Sequence, residues 1–89
     1  MIEVIREPVA VIASFGQTSR GSVKIVPHLM QWRDRRYSLS TMGMHHPERR
    51  GDKNIHVFTF SSGDMAFRME LDPEFLKWTL IEVSDGLPS

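Results

Sequence analysis

The chain contains no cysteine, carries no formal net charge and has no long apolar run. The lack of cysteine excludes disulfides, thiolate metal sites and a thiol nucleophile. No segment approaches the roughly 18 uninterrupted apolar residues that a membrane-spanning helix needs. The first eight residues include two glutamates and a proline, so they lack the basic start and apolar stretch of a secretion signal. We therefore expect a cytoplasmic protein without a membrane segment.

The chain has the size and composition of one small globular domain. Its 89 residues are 40% hydrophobic and 25% charged, which is enough apolar content for one core and too little length for two. We predict a single β-rich domain over residues 1–89. Residues 84–89 contain glycine and proline and are expected to form a frayed tail.

The charges are unevenly distributed along the sequence. Residues 20–53 hold eight basic and three acidic residues, a net charge of +5, and the rest of the chain has a net charge of −5. A basic segment of this kind favours contact with polyanions if the fold gathers its side chains on one surface.

Short runs rich in β-branched and aromatic residues alternate with turn-forming residues and predict strands. In one of them the apolar positions change phase around Pro27, which indicates a β-bulge or an edge position. Residues 44–54 hold two histidines, a proline and a glycine without periodicity, and are interpreted as a long exposed loop. The remaining runs, each predicted as extended, are 9–15, 22–32, a strand opening at Tyr37, 55–61, 65–72 and 78–83.

Two hairpins follow from this alternation. In the first, Trp32 and Tyr37 close a loop of two or four residues, with His28, Met30 and Trp32 on one face. In the second, the turn Ser62–Asp64 joins residues 55–61 to 65–72. Its two strands are predicted to place six apolar side chains on one face: Phe58, Phe60, Met65, Phe67, Met69 and Leu71.

The predicted fold is mainly β, with five or six antiparallel strands in meander order that form a curved sheet or a small open barrel. The rings expected inside are those of Phe58, Phe60, Phe67, Trp78, Trp32 and Tyr37. Asp72 before Pro73 is a good helix N-cap pair, so one short helical turn near Pro73 is the α+β alternative.

The candidate binding residues lie in the basic segment. Arginines at the tip of the first hairpin, beside two flat rings, combine phosphate-binding charge with stacking surfaces. The alternative is structural: the rings form a cross-strand core pair and the arginines keep an exposed tip soluble. The candidate residues are Trp32, Arg33, Arg35, Arg36, Tyr37, Arg49 and Arg50.

No spacing in the sequence indicates a metal centre or a catalytic set. His45 and His46 are neighbours, and neighbouring residues of an extended chain point in opposite directions, so they are poorly placed to chelate one ion; His28 and His56 are only distant partners. No phosphate-binding glycine loop or nucleophile-elbow motif occurs, and so small a domain has little volume for a deep pocket. We predict no cofactor, no metal and no enzymatic activity.

A resemblance adds one further expectation. Residues 26–37, with proline before Trp32 and tyrosine after a basic turn, together with 65–71 and Trp78-Thr79-Leu80, resemble a family of small uncharacterised bacterial β-proteins. The likeness spans residues 23–83. It implies a β fold and no catalytic residues, and the similarity of some members to segments accompanying error-prone DNA polymerases favours nucleic acid nearby.

The leading functional hypothesis is a non-enzymatic binding module that acts on a protein partner or through self-association as a homodimer. The alternative is an accessory nucleic-acid-binding domain that uses the basic residues between 33 and 53. Exposed strand edges give the first hypothesis a physical route, because a small sheet must protect or pair its edges.

Overall fold

The computed structural model describes residues 2–17, 19–21, 23–39 and 41–84. These residues form one antiparallel sheet in the order β3-β2-β1-β7-β6-β5-β4. No helix occurs among them, and so none that could cross a membrane. The seven strands are β1 (Ile2–Gln17), β2 (Val23–Trp32), β3 (Arg35–Ser38), β4 (Thr41–Arg50), β5 (Lys53–Ser62), β6 (Met65–Asp72) and β7 (Lys77–Ser84).

The long strand β1 is shared between two ladders. Its residues 2–9 pair with β7, and its residues 10–17 pair with β2. We call β1(2–9) with β7, β6, β5 and β4 the five-strand ladder, and β1(10–17) with β2 and β3 the three-strand ladder. Between Val4 and Glu7 the register shifts, and Arg6 has a φ of 53°. A bulge of this kind increases the local twist of the strand; pairing with β7 continues beyond it to Val9, and pairing with β2 begins at Ala10.

The predicted irregularity near Pro27 is a bulge in β2. Ile12 pairs with Leu29 while Ala13 pairs with Pro27, so His28 is the extra residue. Apolar side chains before and after it, Pro27 and Met30, are therefore both fully buried despite their opposite parity. The prediction that His28 shares a face with Met30 is wrong for the same reason: His28 is exposed, with its Nε2 2.6 Å from Ser14 Oγ.

The described sheet has seven strands where five or six were predicted, because residues 44–54, predicted as a loop, are mostly strand. They form most of β4, the turn at 51–52 and the start of β5, and β4 pairs with β5 from Thr41–Ser61 to Arg50–Lys53. β4 is an end strand, where proline and charged residues are tolerated because one edge donates to no ladder. Gly43 is the extra residue of a bulge in β4. Glycine suits this position because a Cβ there would lie only 3.0 Å from Thr59 Oγ1. The features that suggested a loop are those of an edge strand.

The helical turn expected near Pro73 is absent, and residues 73–76 form a turn between β6 and β7. The capping contact itself exists: the backbone N–H of Glu74 donates to Asp72 Oδ1 at 3.0 Å. Leu76, however, has a φ of 53°, a left-handed conformation that ends the turn and directs the chain into β7.

The hairpin of β5 and β6 has the predicted facing. Phe58 pairs with Met69 and Phe60 with Phe67, and all four side chains are buried on one face of the sheet, the inner face. The sheet curls around this face until the Tyr37 ring on β3 meets the Phe67 ring on β6, with centroids 5.1 Å apart. The end strands β3 and β4 do not pair, so the described sheet is curved and not closed.

Four of the six rings expected inside are buried, namely Phe58, Phe60, Phe67 and Trp78. Trp32 and Tyr37 are half-buried and pack at the margin of the same cluster. Of the expected tail, Ser84 is the last residue of β7, and residues 85–89 lie outside the described part of the chain.

The left-handed backbone at Leu76 predicts a stabilising substitution. Leu76 is 66% exposed, so Leu76→Gly removes little packing and relieves a conformation that disfavours a Cβ. Relief of about 1–2 kcal/mol of left-handed strain, less about 0.5–1 kcal/mol for the added freedom of glycine in the unfolded chain, should raise the free energy of unfolding by about 0.5–1 kcal/mol in urea titrations. Phe75→Gly is the matched control, since Phe75 is 67% exposed without a positive φ, and it should lower stability. Equal losses in both variants would contradict the argument.

Candidate partner-binding surface

Four stretches of strand have one edge that pairs with no other strand among the described residues. Two are the end strands β3 and β4. The other two belong to β1, because residues 2–9 use only the edge toward β7 and residues 10–17 only the edge toward β2. An unpaired edge presents free N–H and C=O groups to any extended chain, so each edge needs either protection or a partner.

Three of the four edges carry protection. β3 has four residues, and two of them are Arg35 and Arg36. β4 contains the bulge at Gly43, Pro47 and three charged residues at its end. β1(2–9) contains the bulge at Arg6, two glutamates and a proline. Short length, bulges, charges and proline are the devices by which natural sheets prevent edge-to-edge pairing.

The edge of β1(10–17) has none of these devices. Its sequence, Ala-Val-Ile-Ala-Ser-Phe-Gly-Gln, contains no charged residue and no proline, and the nearby bulge lies on β2 instead. Ile12 is 64% exposed and Phe15 is 57% exposed. β1 as a whole carries four of the seven large apolar side chains that are exposed among the described residues. This stretch is therefore open both along its backbone and at its side chains.

Shallow depressions lie on the β2 side of β1(10–17), away from its open edge. One, of about 190 Å³, is lined by residues of all three strands of the three-strand ladder, including Ile12, Leu29 and Arg36. Another, of about 200 Å³, lies along residues 14–17 beside Lys24 and Val26. Pockets for small organic ligands usually measure about 300–1,000 Å³. Both volumes are below this range, so neither depression has the size of a small-molecule pocket.

The predicted residues Trp32 and Arg33 are held by one carboxylate. Trp32 Nε1 donates to Glu7 Oε1 at 3.0 Å, and Arg33 Nη2 lies 2.6 Å from Glu7 Oε2. The Arg33 guanidinium also lies over the Trp32 ring, 4.6 Å from its centroid. Hydrogen bonds from Arg33 and then Trp32 lower the pKa of Glu7, and the same contact raises the pKa of Arg33. The charge of Arg33 is thus paired within the molecule.

The other residues of the first hairpin fit the structural interpretation. Tyr37 packs against Trp32, with ring centroids 6.2 Å apart, and against Phe67. The loop has two residues, because Trp32 pairs with Arg35 and Met30 with Tyr37. Arg35 and Arg36 are exposed neighbours on β3, so their side chains point to opposite faces of the sheet.

Arg49 and Arg50 lie at the far end of β4. Arg50 donates to both oxygens of Glu70, at 2.7 and 2.5 Å, and to Glu48 Oε2 at 2.7 Å. These hydrogen bonds raise the pKa of Arg50 further above its ordinary value, with Glu70 as the larger cause. Arg49 Nε donates to the Gly51 carbonyl at 3.2 Å. Arg50 is therefore committed to an intramolecular network.

The structure does not bring Arg33 and Arg50 together. Arg33 is bound to Glu7, which lies opposite Leu80 of β7, and the Leu80 side chain is in the core. Arg50 is bound to Glu70, which lies opposite Thr79 of β7. Leu80 and Thr79 are consecutive residues of β7 and point to opposite faces. The two arginines are thus bound on opposite faces of the sheet and do not form one continuous patch.

A pair of histidines meets at the inner face. His45 pairs with Phe58, and its ring stacks on the Phe58 ring with centroids 4.2 Å apart. Its Nε2 lies 3.0 Å from Nδ1 of His56, so one ring donates and the other accepts. His46 pairs with Val57 and points to the outer face, as predicted for adjacent residues of a strand. Among the described residues, no group of three or more histidine, aspartate or glutamate side chains could hold a metal ion.

Comparison with known proteins gives no match: no family model, curated protein or solved structure matches the chain. The resemblance to small bacterial β-proteins therefore stays a prediction, and the function is argued from the surface itself. Sequence reasoning predicted residues 9–15 as a strand but did not identify its edge as a site. The sequence feature that could have identified this edge is the absence of charged residues from Pro8 to Ser19, because a strand without charges has no charged protection of its edge.

The histidine pair predicts a pH dependence of stability. Burial lowers the pKa of His45 below 6.5, and His56 and His46 lower it further. The unfolded chain then binds the extra proton more readily, so stability is fully present above pH 6.5 and is lost as pH falls through the lower folded-state pKa. His45→Phe keeps a ring on Phe58 and removes the titration.

We therefore expect urea titrations between about pH 7 and pH 5 to show a smaller loss of stability in His45→Phe than in the wild type. The same slope in both proteins would assign the acid sensitivity to other groups.

Proposed function

We propose that the protein is a non-enzymatic binding module that docks an extended segment of a protein partner, or of another copy of itself, along β1(10–17). One observation carries the proposal: of the four open edges, this is the one without charge, proline or bulge. Small domains that add a strand to their sheet obtain affinity from main-chain hydrogen bonds and selectivity from pockets for alternate side chains. Ile12 and Phe15, whose side chains are exposed on this strand, supply side-chain contacts for the docked segment.

The rigidity of the edge supports the same function. On its other side β1(10–17) is paired with β2 from Ala10–Gln31 to Gln17–Val23. Val11 and Ala13 pack against the buried cluster, which fixes the inner face of the strand. A docked strand therefore meets a preformed template, and little ordering entropy is lost by the module.

The nucleic-acid alternative has less support. Arg33 is bound to Glu7, Arg50 to Glu70 and Glu48, and the two arginines lie on opposite faces. Trp32 and Tyr37 are half-buried and pack against each other, so neither offers a free stacking face like those of single-strand-binding sites. Arg35 and Arg36 remain as exposed cations of the hairpin, and together they contribute a local charge too small for a backbone-tracking groove.

A peptide with the sequence of residues 9–17, flanked by lysines for solubility and labelled with fluorescein, tests strand docking by fluorescence anisotropy. We expect the wild type to bind it and Ile12→Lys to bind at least about tenfold more weakly, because a charge on the edge opposes pairing. Met44→Lys is the matched control: Met44 is also exposed, at 56%, but lies on β4. It should bind like the wild type.

Absence of peptide binding by the wild type, or an equal loss in both lysine variants, would contradict the proposal. A labelled single-stranded oligonucleotide at about 50 mM salt gives the comparison with the alternative. Binding of the oligonucleotide that weakens steeply with salt, together with no peptide binding, would support the nucleic-acid function instead.

A further inference from the structure

We infer that the strand docked on β1(10–17) is the same segment of a second copy of this chain, antiparallel about a two-fold axis at Ala13. The inference rests on the proposed function and adds the identity of the occupant. An interface of this kind is isologous, so the same surface must be complementary to itself.

The segment is self-complementary in size. With the axis at Ala13, Ala13 faces its own copy and Val11 faces Phe15 of the second copy, an aromatic beside a β-branched side chain, which is a favourable cross-strand pair. On the other face, Ile12 meets Ser14 and Ala10 meets Gly16. Each large side chain therefore lies opposite a small or compatible one, and each pair except Ala13 with its own copy occurs twice in the dimer.

The facing of the strand is also preserved. Residues paired across such an axis have the same parity, so the inner face of one copy meets the inner face of the other. Val11 and Ala13 on that face pack against the buried cluster of their own chain. In the single chain the Phe15 ring is exposed. In the dimer it would be covered by the second copy and would extend this apolar row across the interface.

Electrostatics favours self-pairing at this edge over the others. Self-pairing places each side chain close to its own copy, so a charged residue near the axis repels itself. The β3 edge would bring Arg35 and Arg36 against their copies, and the end of β4 would do so with Arg49 and Arg50. β1(10–17) has no charge, and the chain as a whole has a net charge of zero, so two copies meet no overall repulsion.

The contact is one strand wide, so we expect it to be weaker than standard protein interfaces, which bury about 1,200–2,000 Å². Sedimentation equilibrium from about 1 µM to 1 mM covers the dissociation constants of such a dimer. Ile12→Lys should raise the dissociation constant at least about tenfold, and Met44→Lys should leave it unchanged.

Because the chain has no cysteine, single cysteines can locate the axis. Val11, Ile12, Ala13, Ser14 and Phe15 are each replaced by cysteine, and the rate of disulfide-linked dimer formation is measured in a glutathione buffer. Directly opposed residues of antiparallel strands have Cβ atoms about 4.5–5.5 Å apart, within reach of a slightly adjusted disulfide. We expect Ala13→Cys to crosslink fastest. Ser38→Cys, exposed on β3, is the control and should crosslink at the slow rate of random collision.

A maximum at Ala13, Ile12 or Ser14 supports the pairing and fixes its axis to within one residue. A dimer whose fastest crosslink is at Ser38 overturns the inference. A chain that stays monomeric to about 1 mM, with equal slow crosslinking at every position, also overturns it. If that monomer still binds the residue 9–17 peptide, strand docking stands and the natural occupant is a different protein; if it binds no peptide, both proposals fail.

Discussion

The arrangement of the molecule depends on β1 pairing with β7 along its first half and with β2 along its second. It is the one element that belongs to both ladders of the described sheet. Because of it, Ile25 and Met30 of β2 enter the same buried cluster as Phe58, Phe67 and Leu80. A small domain cannot support two separate cores, so this double pairing, which gathers the apolar side chains of both ladders into one cluster, has a large structural effect. The same double pairing leaves half of each β1 edge without a partner.

How far the fold could be predicted depended on whether each strand has one buried face. β6 alternates with period two because its inner face is buried, and Phe67 and Met69 follow that period. In β5 the rings of Phe58 and Phe60 share the inner face as predicted, although Val57 is also buried on the other face. The change of phase around Pro27 also identified the bulge. β4 could not be predicted, since an end strand with a bulge, a proline and several charges has no regular period. The contact of His45 with His56 required the register of β4 on β5, which the sequence does not contain.

Charge separation along the sequence does not become charge separation on the surface of this fold. The basic segment supplies β2 to β4, and the acidic segments supply β1, β6 and β7. Ion pairs then join the two: Arg33 with Glu7, Arg50 with Glu70, and Lys53 with Asp72. Exposed pairs of this kind add little stability. Their larger effect is on function, because they occupy two of the five candidate arginines, Arg33 and Arg50, whereas the candidate surface on β1 is defined by its lack of charge.

The two tryptophans lie in different ladders and in different surroundings. Trp78 on β7 is buried among the rings of the five-strand ladder, while Trp32 on β2 lies at the margin with its indole N–H on Glu7. Their fluorescence therefore reports separately on the two halves of the sheet, once one tryptophan is replaced by phenylalanine. Coincident melting of both signals would mean that β1 couples the ladders into one cooperative unit, and separated transitions would give the free energy by which the three-strand ladder opens alone.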